Sequence, residues 1–220
     1  VTGAMPRVDL GPDAVRDMGP FRPGPTGPRL FRLHLISRQA PGALAALVGC
    51  AVLLRVALHL RWIQGGGASA QQLLLLIECG AAAAVAVATR NPFGESERST
   101  GFRLPLLRLG AALLLTGAAV GALVLGAVGA RLPGGAPQVL RDVPGLTAVG
   151  LLTAAALGGA LAWVGPLTYT VVAEFALLED WHTPWMWPAR PPHDLGAWVC
   201  AGLAFAAATA VASVRGDRAA

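Results

Sequence analysis

The chain has 220 residues, of which 55% are hydrophobic and only 13% charged, with a mean hydropathy of +0.59 and a formal net charge of +5. That balance is too apolar for a soluble domain and too poor in charge for a disordered one, so it points to a polytopic membrane protein. All 17 basic residues are arginine and lie scattered between apolar runs instead of clustering with aromatics, which argues against nucleic acid as a partner and leaves the lipid bilayer.

In chain order, residues 1–26 are rich in proline and glycine and read as a flexible cytoplasmic tail. Residues 27–41 mix Leu30, Phe31, Leu33, Leu35 and Ile36 with Arg29, Arg32 and Arg38, the pattern of a short amphipathic helix lying on the inner membrane surface. A membrane region over 42–214 follows, closed by a short cytoplasmic tail at 215–220. A hydrocarbon core of about 30 Å needs roughly 20 apolar residues in a helix. Spans meeting that length are predicted at Gly42–Ile63, Gln71–Thr89, Leu106–Ala130, Val143–Trp163 and Leu195–Val214.

Between the last two lies the shorter run "GPLTYTVVAEFALLED", predicted as a separate span because Gly165-Pro166 should interrupt any single helix from Val143 to Leu178. The predicted fold is therefore all-α, with six transmembrane helices and an N-terminal interfacial helix. With six crossings both termini share a side, and that side receives the arginines of the tail, of residues 90–108, and Arg215 and Arg218. The expected topology is N-in/C-in in a bacterial plasma membrane. Arg131 and Arg141 are then expected in a short outer loop, and 179–194 forms an outer loop in which Trp181, Trp185 and Trp187 alternate with prolines. Tryptophan favours the interface, so these three are expected to cap or gate the outer face.

Ionisable residues inside predicted spans need partners. Arg55 and Glu78 are expected at similar depth in an antiparallel hairpin, with His59 one helical turn from Arg55, so an Arg55–Glu78 ion pair is predicted. Snorkelling is the rival for Arg55. Glu174, in the short fifth span, is a candidate cavity residue. His182, His193, Asp180 and Asp194 lack the spacing of a metal site, and no metal is expected. Cys50, Cys79 and Cys200 all fall in apolar runs and read as small packing residues. No glycine-rich phosphate loop and no nucleophile–base pair is visible, so the chain is not expected to be an enzyme or to bind a cofactor.

The most charged passage in the middle of the chain, residues 91–105, contains Glu95-Ser-Glu97-Arg98-Ser-Thr-Gly101 between the second and third spans. It resembles the coupling segment of ABC transporter permeases of type 2, which carries an E-x-E-R-x-x-G-like pattern at this point. The resemblance implies that Glu95, Glu97, Arg98 and Gly101 dock on a separate cytoplasmic ABC ATPase subunit, which binds ATP-Mg. It further implies a second permease chain, a substrate path between the two, and export of an amphiphilic or lipophilic molecule. A short fifth span followed by a partly re-entrant outer segment belongs to the same layout. Two other readings remain open: an ion- or proton-coupled carrier using Arg55, Glu78 and Glu174, and a non-transporting membrane subunit of a larger complex.

Overall fold

The computed structural model describes residues 40–63, 68–89, 104–179 and 183–215. These form helices α1 (Ala40–His59), α2 (Ala68–Ala88), α3 (Leu104–Gly126), α4 (Gly135–Leu157), α5 (Val164–Leu178) and α6 (Leu195–Arg215). No strand occurs among the described residues. With the 3-10 turn Gly159–Leu161 joined to α5, there are six segments long and apolar enough to cross a bilayer. The all-helical, six-span fold expected from the sequence is therefore present; the interfacial helix at 27–41 lies almost wholly outside the described residues, and its last two residues, Ala40 and Pro41, belong to α1.

What separates these helices from those of a soluble bundle is their outward face. On α1, Leu44, Val48, Val52 and Val56 recur at four-residue spacing and are all exposed, while Ala43, Leu47, Leu54, Ala57 and Leu58 face inward and are buried. A surface helix in water would carry polar residues on the first set. Leu125 and Leu203 continue the apolar surface on α3 and α6. A protein with such a surface is solvated by hydrocarbon.

Helix α4 occupies the centre. It packs against α2, α3, α5 and α6, whereas α1 rests on α2 and α3. Its span has the lowest mean hydropathy of the six, 1.3, and the largest buried share, 61%. The two facts have one cause: residues too polar for lipid are carried by the helix that lipid reaches least.

Prolines mark the helix starts. Pro41, Pro105, Pro137 and Pro166 all lie in first turns, where the missing N–H leaves no intrahelical bond unmade. This corrects the expectation that Gly165-Pro166 interrupts the chain between the fourth and fifth spans. The break falls at Gly158, whose φ of 94° and ψ of 155° are closed to L side chains. Three span limits shift as well. The first helix stops at His59, since Leu60–Ile63 turn away with Arg61 at φ 61°; the third begins at Leu104, inside the predicted 91–105 loop. The fourth begins at Gly135 rather than Val143, which takes Arg141 out of the outer loop and into α4.

Alternating helices place 60–63, 127–134 and 183–194 at one end of the bundle. Contacts bear this out: Arg55 Nη1 donates to the Val128 carbonyl at 2.5 Å, and Gln71 Nε2 to the Pro188 carbonyl at 3.1 Å. The opposite end holds the start of α1, the ends of α2 and α6, the start of α3 and the Gly158 turn.

Close packing of α2, α4 and α5 depends on Gly150, where a Cβ would stand 2.6 Å from the Ala86 methyl and 3.1 Å from Pro166 Cγ. By contrast, a Cβ on Gly117 of α3 meets nothing within 4 Å. Gly150→Ala should therefore destabilise by about 1–3 kcal/mol through overpacking, while Gly117→Ala should leave stability unchanged or raise it by up to about 1 kcal/mol. Thermal unfolding of the two variants in the same detergent tests the difference; equal midpoints would contradict this packing.

Candidate functional site

The segment between α5 and α6 is short of backbone donors. Residues Trp185-Met186-Trp187-Pro188-Ala189-Arg190-Pro191-Pro192 contain three prolines, and only one 3-10 turn, Trp187–Ala189, forms within them. Yet Met186, Trp187 and Pro188 are buried within the bundle. Carbonyls in such a place need donors from elsewhere, because non-helical backbone at membrane depth is tolerated only where protein or water satisfies it.

Four helices supply them. Tyr169 Oη of α5 donates to the Trp185 carbonyl at 2.6 Å, and Gln71 of α2 donates to Pro188. Arg141 of α4 donates through Nη2 to Arg190 at 3.1 Å and through Nη1 to Pro191 at 2.8 Å. Trp198 Nε1 of α6 donates to Pro192 at 2.8 Å. Each is a long side chain whose donor lies at its tip, so it can reach into a neighbouring segment that has no ladder of its own.

Trp187 anchors the segment from within. Its indole stacks on Tyr169 with ring centroids 4.7 Å apart and lies so close to Gly145 of α4 that a Cβ there would stand 2.7 Å from the ring. Trp185 is 52% exposed, so the two tryptophans divide: one fills the bundle and the other faces outward. Trp181, the third expected cap residue, lies outside the described residues, as do Asp180 and His182.

The segment then runs into α6 through Asp194. Arg190 Nε donates to Asp194 Oδ2 at 2.6 Å, and the Ala197 N–H donates to Oδ1 at 3.2 Å, so the carboxylate closes the first turn of α6 as an N-cap. Hydrogen bonding from Arg190 and then from that N–H holds the Asp194 carboxyl below the usual carboxylate range.

Behind the segment is a group of charged side chains cut off from solvent. Arg141 Nε donates to Asp142 Oδ1 at 2.9 Å, with both side chains at 0% exposure. Glu78, midway along α2, is also 0% exposed, and Asp142 and Arg141 are the charged groups that act on it. Neither Glu78 oxygen has a hydrogen-bond partner; Asp142 Oδ2, Gln138 Nε2, Thr147 Oγ1 and Thr170 Oγ1 likewise have none. Buried polar atoms without partners are uncommon, and a group of them marks a place where something other than packing has been selected.

The predicted Arg55–Glu78 pair does not form. Because α1 ends at His59, Arg55 lies only about 6 Å from the helix end, while Glu78 lies about 15 Å into α2. Arg55 and His59 are both exposed on the outer face of α1, and the guanidinium reaches the Val128 carbonyl beyond the end of α3, as the snorkelling alternative has it. Glu174 is half-buried on α5, its Oε1 unpartnered, and acts on Cys79 beside Glu78. Sequence reading thus found Glu78, Glu174 and Trp187 but missed Gln71, Arg141, Asp142 and Tyr169. The available signal was Arg141-Asp142 within the otherwise apolar "APQVLRDVPGLTAVGLL", where a span drawn to avoid charge excluded the pair.

Cys50, Cys79 and Cys200 carry free thiols, and no group of three or more His, Cys, Asp or Glu able to hold a metal ion occurs among the described residues. Glu95, Glu97, Arg98 and Gly101 lie outside the described residues. The fold defines the chain as an all-helical multi-pass membrane protein. Compared with protein-family models, curated proteins and solved structures, it matches none.

Arg141→Gln removes the charge that Asp142 pairs with among the described residues and two donors to the segment. Breaking a fully buried pair in this way should cost about 3–5 kcal/mol and open the 183–194 segment to protease; a midpoint within a degree of wild type would refute the role given to Arg141. At the rim the sign with pH is fixed. Because Asp194 is held below its unfolded value, its contribution is fully present above that value and lost as pH falls through the folded one. Amide exchange at Ala197 and Trp198 should therefore accelerate on acidification in wild type, and Asp194→Asn should abolish that acid-range change.

Proposed function

We propose that the chain is the membrane-spanning subunit of an ATP-driven transporter of the ABC type, working with a separate cytoplasmic ATPase subunit and a second permease chain in a bacterial plasma membrane. The observation that carries this reading is the segment between α5 and α6: a fifth helix of 15 residues is followed by non-helical chain that returns into the bundle before the last span. That is the layout the resemblance implies. Residues 91–105, which join α2 to α3, supply the coupling segment, with Glu95, Glu97 and Arg98 pairing with charges on the ATPase and Gly101 permitting the turn back.

In this reading both ends of the chain and residues 91–105 face the cytoplasm, as the distribution of arginine favours. ATP-Mg binds the partner, whose closure moves the helices as rigid bodies. The Gly158 turn between α4 and α5 is suited to such motion, since it joins two packed helices through one residue of unusual conformation and a short 3-10 turn. The cargo is an amphiphilic or lipophilic small molecule, and the direction is export. A carrier without an ATPase is the second reading, favoured by the burial of Glu78 with both oxygens unpartnered.

Purification of the tagged chain from its native membranes separates the two. The first reading expects a nucleotide-binding subunit, identified by its phosphate-loop peptide, to co-purify. Glu97→Lys should reduce its recovery by about tenfold, the equivalent of roughly 1.4 kcal/mol, while Glu174→Gln leaves recovery unchanged. Transport by the chain alone in liposomes, without any nucleotide-binding subunit, would sink the ABC reading.

A further inference from the structure

Two carboxyl groups and one guanidinium share the dry space between α2, α4 and the 183–194 segment. Glu78 and Asp142 are 0% exposed and Arg141 1%. The guanidinium is already committed: Nε to Asp142, Nη1 to Pro191 and Nη2 to Arg190. Both Glu78 oxygens are left without a donor, while the Asp142 carboxyl has the Gln138 amide beside it. With both acids ionised the group carries one uncompensated negative charge in the membrane interior, which is unfavourable.

One unit of positive charge is therefore missing. A metal ion does not fit, because Arg141 repels it and the described residues offer no set of three ligating side chains. A proton fits without any cavity. It turns an acceptor-only carboxylate into a donor and removes the uncompensated charge. Beyond Asp142, the described ionisable groups nearest the site are Tyr169 and Glu174 of α5, Cys79 of α2 and Cys200 of α6. None of them is a cation. Arg190 of the segment pairs with Asp194; Arg55 and His59 of α1 are exposed, and Arg108 of α3 lies near the opposite end.

We propose that Glu78 is a proton-binding site that latches the 183–194 segment through Arg141. With the proton on Glu78, Arg141 is shared between Asp142 and the carbonyls of Arg190 and Pro191, and the segment is seated. When the Glu78 O–H bond breaks, the proton passes to water and the electron pair stays on the carboxylate. The new negative charge then competes with those two carbonyls for the guanidinium, and the segment loosens. An opening of about 340 Å³ lined by Gln71, Gln138, Arg190 and Pro191 borders the segment, and in the latch it is the side from which water enters once the segment loosens. Gln138 lies one helical turn before Asp142, and its amide acts on the Asp142 carboxyl. The latch needs no ATPase, so it holds whether or not the ABC reading does.

Infrared spectroscopy and amide hydrogen exchange on the purified full chain in liposomes test this without a substrate or partner. At neutral pH wild type should show a carboxylic-acid carbonyl band that shifts in deuterated water. The band should be missing from Glu78→Gln and retained in Glu174→Gln. The amides of Met186, Ala189 and Arg190, which donate within the segment, should lose about tenfold in protection as rising pH removes that band, after correction for intrinsic exchange. In Glu78→Gln, a neutral mimic of the protonated acid, protection should stay flat and high. A flat profile in wild type, the same fall in Glu78→Gln, or an acid band that Glu78→Gln leaves intact would each overturn the proposal.

Discussion

A guanidinium in the middle of a hydrocarbon-solvated bundle is costly to place and hard to replace, and the arrangement of α2, α4, α5 and α6 follows from what Arg141 needs. Its donors are fixed in a planar fork, so acceptors must lie on defined directions around it. One comes from the neighbouring Asp142 and two from carbonyls of a proline-rich stretch that has no internal ladder to spend them on. Each side solves the other's problem. Without the segment the arginine would keep Asp142 but leave Nη1 and Nη2 without acceptors, and without the arginine the Arg190 and Pro191 carbonyls would lose their donors.

This mutual satisfaction explains why the least hydrophobic span is central. Helix α4 carries Gln138, Arg141, Asp142 and Thr147 in buried positions, and its packing against four neighbours keeps these from lipid. Small residues let the neighbours close around it: Gly145 admits the Trp187 indole and Gly150 admits Ala86 and Pro166. Helix α1 buries no charged side chain, packs chiefly on α2 and α3, and presents a largely apolar face outward. Its own arginine is handled differently, by extension to a carbonyl at the bundle end.

Much of the fold was legible because its causes are local. Runs of apolar residues long enough for a bilayer gave the number of spans, and first-turn prolines mark where four helices start. The site was legible only in pieces. Glu78 stood out as an acid in an apolar run, and Trp187 as an aromatic among prolines, but neither residue names its partners. Hydropathy sets charged residues outside spans by default, so Arg141-Asp142 was assigned to a loop. Gln71 and Tyr169 matter through hydrogen bonds to carbonyls more than 15 residues away in the chain, as far as Gln71 to Pro188. Backbone acceptors leave no mark in a sequence, and so the donors that serve them are invisible until the chain is folded.

The long separation between Arg141 and its carbonyls also bears on how the chain is built. The acceptors at Arg190 and Pro191 follow it by 49 and 50 residues. At synthesis rates of about 5–20 residues per second, Arg141 emerges roughly 3–10 seconds before they exist. During that interval α4 contains an arginine and an aspartate, each disfavouring insertion of a lone helix by about 2.5–3.5 kcal/mol. The helices already made, α1 to α3, offer Glu78 but no replacement for the missing carbonyls. The full set of contacts that buries the α4 guanidinium is therefore complete only once the C-terminal third of the chain has been made.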